Sequence, residues 1–185
     1  DPAVTRRAAA TVSSACNERR DYQPFVELLG WLYQELGDDD GGYAVAVRLD
    51  SLRRGNGAEV FRFADRMLSQ DRYDPALRAL EYFRSTYPPT NPLSAVVALS
   101  YVRALELQYR DERNMSRDRA TALVERYRQF AGANGNTTLA AEALVRVIEL
   151  LDVDLSAPAD ALETAYRVVD LFPDSPFAER GRLAV

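Results

Sequence analysis

The sequence contains no histidine and no lysine, so all 23 of its basic residues are arginines. Without histidine, most general acid–base catalysis, Ser-His-Asp triads and histidine metal sites are excluded. Without lysine, Schiff-base chemistry and the phosphate-binding P-loop are excluded. The single cysteine, Cys16, can form neither an internal disulfide nor, alone, a thiolate zinc site.

Long apolar runs are also missing. The longest, Ala95–Leu99 and Leu28–Tyr33, fall far short of the roughly 18 residues that a membrane span requires. The residues before Cys16 faintly resemble a lipoprotein cleavage site, but no apolar run precedes them. We therefore predict that Cys16 is a small thiol buried in a helix. The chain opens with Asp1-Pro2 and stops inside an apparent helix, a pattern compatible with a segment of a longer protein.

Positive charge is never concentrated in one part of the chain. The formal net charge is −5, and the halves before and after Pro92 hold 12 and 11 arginines against 14 acidic residues each. The densest basic stretch, 110–128, is interleaved with acids, which is typical of a solvated helix face. Because phosphate binding needs clustered cations, we expect no nucleic-acid partner.

Apolar residues recur at helical spacing along the whole chain, as at Leu77, Leu80 and Phe83. No sustained alternation of apolar and polar residues predicts a strand. The pattern predicts an all-α chain of about ten helices. They lie near 2–19, 23–36, 42–54, 58–71, 75–87, 92–112, 117–131, 137–152, 158–172 and 176–185.

Capping residues followed by proline mark the predicted helix starts. They are Asp1-Pro2, Asp74-Pro75, Asn91-Pro92 and Ser175-Pro176. Glycine or proline marks the stops, at Gly37, 55–57, 88–89, 132–135 and Pro173. The connections are short, so neighbouring helices should form antiparallel hairpins.

An aromatic residue closes three of the predicted helices. Tyr87, Phe130 and Phe172 are spaced by 43 and 42 residues. Several helices are apolar on more than one face, which a lone pair cannot bury. We therefore predict that hairpins stack side by side as in repeat proteins.

The 34 residues 57–90 resemble the tetratricopeptide repeat. Phe63-Ala64 stand at the Leu-Gly of that family, Ala76 at its first small residue of the second helix, and Pro88 at its closing proline. Phe83 departs from the pattern, being large where the family is small. The resemblance implies a right-handed α-solenoid as a single domain over 1–185. Its expected parts are an N-terminal helix (1–21), hairpins at 22–54, 57–90, 91–131 and 136–173, and a further helix starting at 175–185.

The phrases "ALRALEYFRSTYPPTNPLSAVVAL" and "FPDSPFAER" are similar to the rhythm of BamD-type outer-membrane assembly lipoproteins and CpoB-like envelope proteins. The long unit ending in "RDERNMSRDRATALVERYRQF" also resembles the BamD pattern. This resemblance implies a periplasmic or envelope scaffold. The scarcity of cysteine fits the cytosol equally well, so the location stays open, with the cell envelope slightly favoured.

In tetratricopeptide arrays the first helix of each hairpin lines a concave groove. The matching register implies a strip of candidate binding residues, extended by Gln34, Leu68 and Glu106. The candidates are Glu27, Trp31, Glu35, Phe61, Asp65, Leu99, Arg103 and Arg110. Two interpretations of Trp31 stay open: packing in the core, or contact with a ligand.

Two alternatives would make the chain a metal binder or an enzyme. The run Asp38-Asp39-Asp40 lacks the spacing of a calcium loop, so we expect a solvated turn there. Carboxylate pairs such as Glu142 with Glu149, or Glu59 with Asp65, could serve a glycosidase, but nothing else marks a cleft. We expect no catalytic residue, no metal and no cofactor.

The sequence therefore favours a non-enzymatic scaffold or adaptor that binds a peptide or a partner protein on its concave face. One rival is a regulatory or oligomerisation module of a larger enzyme, and another is a carboxylate hydrolase acting on envelope glycan. The identity of the partner and the oligomeric state are not predicted.

Overall fold

The computed structural model describes residues 1–19, 22–53, 55–173 and 175–176. Across these residues the chain is all-α, as predicted, and it contains no β-strand. The helices of the described part are α1 (Pro2–Glu18), α2 (Gln23–Leu36), α3 (Asp39–Leu52), α4 (Ala58–Ser69), α5 (Tyr73–Thr86), α6 (Ser94–Asp111), α7 (Arg117–Asn134), α8 (Thr138–Glu149) and α9 (Pro158–Leu171). The helix predicted over 176–185 lies almost wholly outside the described residues.

The chain divides into two compact units, Asp1–Val97 and Ala98–Val185, with the boundary inside α6. In the first unit each helix from α1 to α5 packs against the next one along the chain. In the second unit α7 packs on α8, and α8 packs on α9. This succession of packed pairs is the helical-repeat-like arrangement that the short connections predicted. The single domain over 1–185 stays a prediction.

Several predicted helix ends are confirmed in atomic detail. The Asp1 carboxylate accepts a hydrogen bond from the Ala3 backbone N–H at 2.8 Å and so caps α1. Gly37 ends α2 in the left-handed conformation, at φ 65°. Asp38 then caps α3 by accepting from the Gly41 N–H at 2.9 Å.

The predicted start at Asp74-Pro75 is wrong. Helix α5 begins at Tyr73, and Arg72 occupies the capping position without a side-chain cap bond. Pro75 lies in the first turn, where a backbone N–H has no partner inside the helix, so the missing donor costs little. Asp74 is therefore a first-turn acid that favours the positive end of the helix dipole.

The size of Phe83 is accommodated by a glycine. Phe83 is almost fully buried, and Gly57 lies directly against its ring. A Cβ atom at Gly57 would lie 2.1 Å from the Phe83 Cε2 atom, far inside contact distance. Gly57 also has φ 85°, which side chains disfavour. The large residue in the α5 core therefore depends on glycine at the start of α4.

The core of the second unit is centred on α8, which packs between α7 and α9. Ala140, Ala141 and Ala143 are fully buried on α8, and the largest fully buried side chain among the described residues is Tyr127 on α7. Helix α7 continues to Asn134, past its predicted end at 131, and a positive φ at Gly135 follows. The chain leaves α8 through a π-helical turn, Leu150–Asp154.

Two predictions made from the apolar pattern are confirmed where the structure describes the chain. None of the described helices is both long enough and apolar enough to cross a membrane. Cys16 lies in α1 with its side chain fully buried. The core around it contains Val26 and Leu29 of α2.

Candidate functional site

A groove of about 250 Å³ runs along the first unit, with α2 and α4 as its walls and α3 as its floor. Glu27, Trp31 and Gln34 line it from α2, and Arg62, Phe63 and Arg66 line it from α4. Seven residues separate Glu27 from Gln34. At 1.5 Å per residue, that wall of the groove is about 10 Å long.

The floor of the groove is apolar because small residues let the helices approach. Gly30 on α2 lies so close to α3 that a Cβ atom there would come within 2.9 Å of the Val45 Cγ1 atom. Val45, Ala46 and Leu49 form the floor. Gly30 therefore lets α2 approach α3 closely.

Trp31 does not pack in the core, which was one of the two interpretations of this residue. Its side chain is 55% exposed, although tryptophan is among the costliest side chains to leave in water. It lies on the α2 wall of the groove, across from Phe63 on α4. An exposed aromatic beside an apolar floor is typical of a surface that a partner covers.

One end of the groove is closed by a chain of ion pairs. Arg53 donates hydrogen bonds to both Glu27 and Glu59, and Arg62 donates to Glu59 at 2.6 Å. A hydrogen bond from Gln23, followed by the bond from Arg53, lowers the pKa of Glu27. Both carboxylates are therefore compensated, and this end carries no net charge.

The other end of the groove carries an uncompensated arginine. Arg66 donates to the Gln34 side-chain oxygen at 2.8 Å, and its guanidinium lies 5.6 Å from the centre of the Phe63 ring. No described carboxylate is within ion-pairing distance of it. Its Nε atom is shielded from solvent and has no acceptor among the described residues. An unsatisfied buried donor costs about 1–3 kcal/mol.

The structure brings only part of the predicted strip together. Glu27 and Trp31 line the groove, whereas Glu35 lies exposed on α2 outside it. Phe61 and Asp65 follow Glu27 and Trp31 by 34 residues, but they do not line this groove, which Arg62 and Arg66 line from α4. The α4 residues that line this groove are therefore different from the two that the register predicted on that helix.

The remaining predicted residues belong to the second unit. Leu99 is only 5% exposed and packs in the core, so it cannot serve as a binding residue on the surface. Arg103 is exposed, with a guanidinium nitrogen 3.7 Å from a Glu142 carboxylate oxygen. Arg110 donates to Asp154 at 2.7 Å and to Glu106 at 3.0 Å.

Glu106 does not extend a surface strip, because its side chain is fully buried. It accepts hydrogen bonds from Tyr127 at 2.9 Å, from Arg110 and from Arg146. Burial acts to raise the pKa of Glu106, but the bonds from Arg146, Arg110 and Tyr127 outweigh it and lower that pKa. The sequence contains one sign of this burial: Glu106 follows the apolar residues Leu99 and Val102 at helical spacing, so the three share a face of α6.

A second buried carboxylate, Asp50, was not predicted from the sequence. It accepts from the backbone N–H groups of Gly57 and Glu59 at 3.0 and 3.2 Å, and from the Tyr87 hydroxyl at 2.6 Å. It thereby caps α4 from the end of α3, since Gly57 has no side chain to do so. Burial, followed by the bond to Asp50, raises the pKa of Tyr87.

Most of the candidate catalytic and metal residues are engaged in other contacts. Glu142 and Glu149 each face an arginine, and Glu59 is held by two. The expected solvated turn at residues 38–40 is instead the cap and first turn of α3, where Asp39 and Asp40 pair with Arg72 and Arg78. No group of three or more potential metal ligands occurs in the described part of the chain.

No family model matches the sequence, and no curated protein is significantly similar to it.

Proposed function

We propose that this chain is a non-enzymatic interaction module that binds a peptide segment of a partner protein in the groove between α2 and α4. The observation that supports the proposal best is Trp31, a tryptophan 55% exposed beside an apolar floor. A groove about 10 Å long suits a few residues of peptide, since an extended chain rises by about 3.3 Å per residue.

The polar residues of the groove also suit binding better than chemistry. Its carboxylates, Glu27 and Glu59, are held by Arg53, so neither is available as a general base. Trp31 supplies a large rigid surface at low cost in conformational entropy, as tryptophan does in many protein interfaces. The proposed partner, by resemblance alone, is a component of bacterial envelope assembly.

Peptide display tests the proposal directly. A library of random decapeptides is selected on the purified chain, and the dissociation constants of the enriched peptides are measured. Trp31 is the only tryptophan, so its emission reports on the groove alone, and binding should shift it to shorter wavelength. Trp31→Ser should weaken binding at least tenfold, because the main apolar contact is lost.

Tyr166→Ser is the matched control. Tyr166 lies in the second unit and is 51% exposed, close to the exposure of Trp31. The control should bind selected peptides as tightly as the unmodified chain, measured by anisotropy of labelled peptide. Equal affinity of the unmodified chain and Trp31→Ser would place the binding surface elsewhere and contradict the proposal.

A further inference from the structure

The end of α8 leaves the α-helical register. Over Leu150–Asp154 the chain forms a π-helical turn, and the Leu155 N–H donates to the Leu150 carbonyl, five residues back, at 3.0 Å. Ser156 then has φ 52°, a left-handed value that non-glycine residues seldom adopt. Because π-helical turns are rare and left-handed backbone is disfavoured, contacts elsewhere in the molecule must hold this segment.

Helical geometry explains what the π-helical turn achieves. The seven residues from Val147 to Asp154 would make almost two turns of α-helix, so a continuous α8 would direct both side chains to the same side. Val147 is fully buried in the apolar core of the second unit, where an unpaired carboxylate would be costly. A π-helical turn takes up about one residue more than an α-helical turn, so the next residue, Leu155, packs against this core instead.

Asp154, kept out of that core, is held by an arginine of α6. Its carboxylate oxygens accept hydrogen bonds from the two terminal nitrogens of Arg110, at 2.7 and 3.4 Å, and its side chain is only 13% exposed. The Arg110 Nε–H donates in turn to the buried Glu106 at 3.0 Å, so α6 fixes the position of the guanidinium. Such two-point pairs of guanidinium and carboxylate add a fixed geometry to their strength.

We propose that the Arg110–Asp154 pair is a latch that selects between two registers of residues 150–157. With the pair formed, the segment makes the π-helical turn. With an apolar residue in place of Asp154, the segment continues α8 as an α-helix. The start of α9 changes with the register, because the N–H of its capping residue, Ala157, donates to the Leu151 carbonyl at 2.8 Å. The latch therefore sets how α9 joins α8, and it does not depend on peptide binding in the first unit.

Backbone NMR of the full chain distinguishes the two registers at Ser156. A positive φ gives a strong NOE between the amide and α protons of the same residue, whereas an α-helix gives a weak one. The unmodified chain should show the strong NOE. Asp154→Leu should lose it and should have α-helical Cα chemical shifts through Leu155.

Asp152→Leu is the matched control, because it places the same apolar residue at an exposed position of the same turn. It should keep the strong NOE at Ser156. The latch would be overturned by loss of this NOE in the control, by its persistence in Asp154→Leu, or by its absence from the unmodified chain.

Hydrogen exchange tests the arginine while Asp154 stays in place. Arg110→Gln should speed exchange of the Leu155 amide about tenfold more than that of the Val147 amide, which reports any general loss of stability. Arg113→Gln, at an exposed position just after α6, should change this ratio less than twofold. Equal acceleration of both amides in Arg110→Gln would overturn the latch, even if Asp154→Leu failed to fold.

Discussion

Among the described residues, each unit buries one carboxylate that accepts a hydrogen bond from a tyrosine, but the two are stabilised differently. In the first unit, Asp50 is bound by backbone N–H groups at the start of α4 and by Tyr87. In the second, Glu106 is bound by Arg110, Arg146 and Tyr127.

The difference shows two ways to retain a buried charge. Backbone donors at a helix start carry only partial charge and are present whatever the side chains are. Two guanidiniums carry full positive charges, and these destabilise the fold once the carboxylate that compensates them is removed. The Asp50 site should therefore tolerate neutralisation better than the Glu106 site.

The largest expected effect follows from neutralising Glu106. Glu106→Gln should lower the free energy of unfolding by about 3–4 kcal/mol, because two partly buried arginines lose their shared anion. Urea unfolding followed by circular dichroism measures it. Glu149→Gln, which alters a partner of Arg146 that is 40% exposed, should cost less than about 1 kcal/mol. Similar costs for the two variants would contradict the importance of burial.

Truncating the apolar core of the first unit should cost nearly as much. Leu80 is fully buried on α5, so Leu80→Ala should cost about 2–4 kcal/mol through lost burial and a residual cavity. Tyr101→Ala, on α6 in the second unit, removes a half-buried aromatic side chain and should also cost more than Trp31→Ala. Trp31 is more than half exposed, so its removal should cost below about 1 kcal/mol. All three variants are compared by denaturant unfolding. If Trp31→Ala were the least stable of them, the assignment of Trp31 to an exposed helix face would be wrong.

Asp50→Asn should have a smaller effect than Glu106→Gln, at about 1–2 kcal/mol. An asparagine oxygen in place of Oδ2 can still accept from Gly57 and, without charge assistance, from Tyr87. The amide group then replaces Oδ1, so the Glu59 N–H loses its acceptor. The same urea titration compares the two directly. A cost for Asp50→Asn above that for Glu106→Gln would reverse the comparison between the two units.

The smallest expected effect is the change in the free energy of unfolding at acidic pH, which tests the Glu106 site. The folded-state pKa of Glu106 lies below its ordinary value of 4.5. The stability it contributes is therefore present above about pH 4.5 and is lost as the pH falls through the folded pKa. We expect the free energy of unfolding to fall below pH 4.5, and to fall less steeply in Glu106→Gln. Glu142→Gln, at a partly exposed position, should keep the slope. An unchanged slope in Glu106→Gln would contradict the ionised state of Glu106.

The helices were predictable because their ends depend on local chemistry. Asp1, Gly37 and Pro158 mark ends that involve only neighbouring residues. The prediction failed at Asp74. Pro75 lies inside the first turn of α5, but the pair Asp74-Pro75 was interpreted as the cap and first residue of the helix. It also missed the π-helical turn at Leu150–Asp154, part of which was expected to be a loop.

The register of α2 predicted Glu27, Trp31 and Gln34 as binding residues, and these three residues line the groove, while their role in binding stays a prediction. The α4 wall did not follow, because a helix with a broad buried face has two exposed flanks. Periodicity identifies the buried face but does not say which flank faces a given neighbour. Arg66 was missed for that reason, and its lack of a carboxylate partner is visible only in three dimensions.

The sequence by itself determined that this protein is helical, where most of its helices begin and end, and which faces are apolar, because capping, glycine, proline and periodicity act over a few residues. Tertiary structure decided which polar groups are buried and what they meet. Asp50 and Tyr87 are 37 residues apart, and Glu106 and Arg146 are 40 apart. Such partners are chosen by how the helices pack, which no local pattern records.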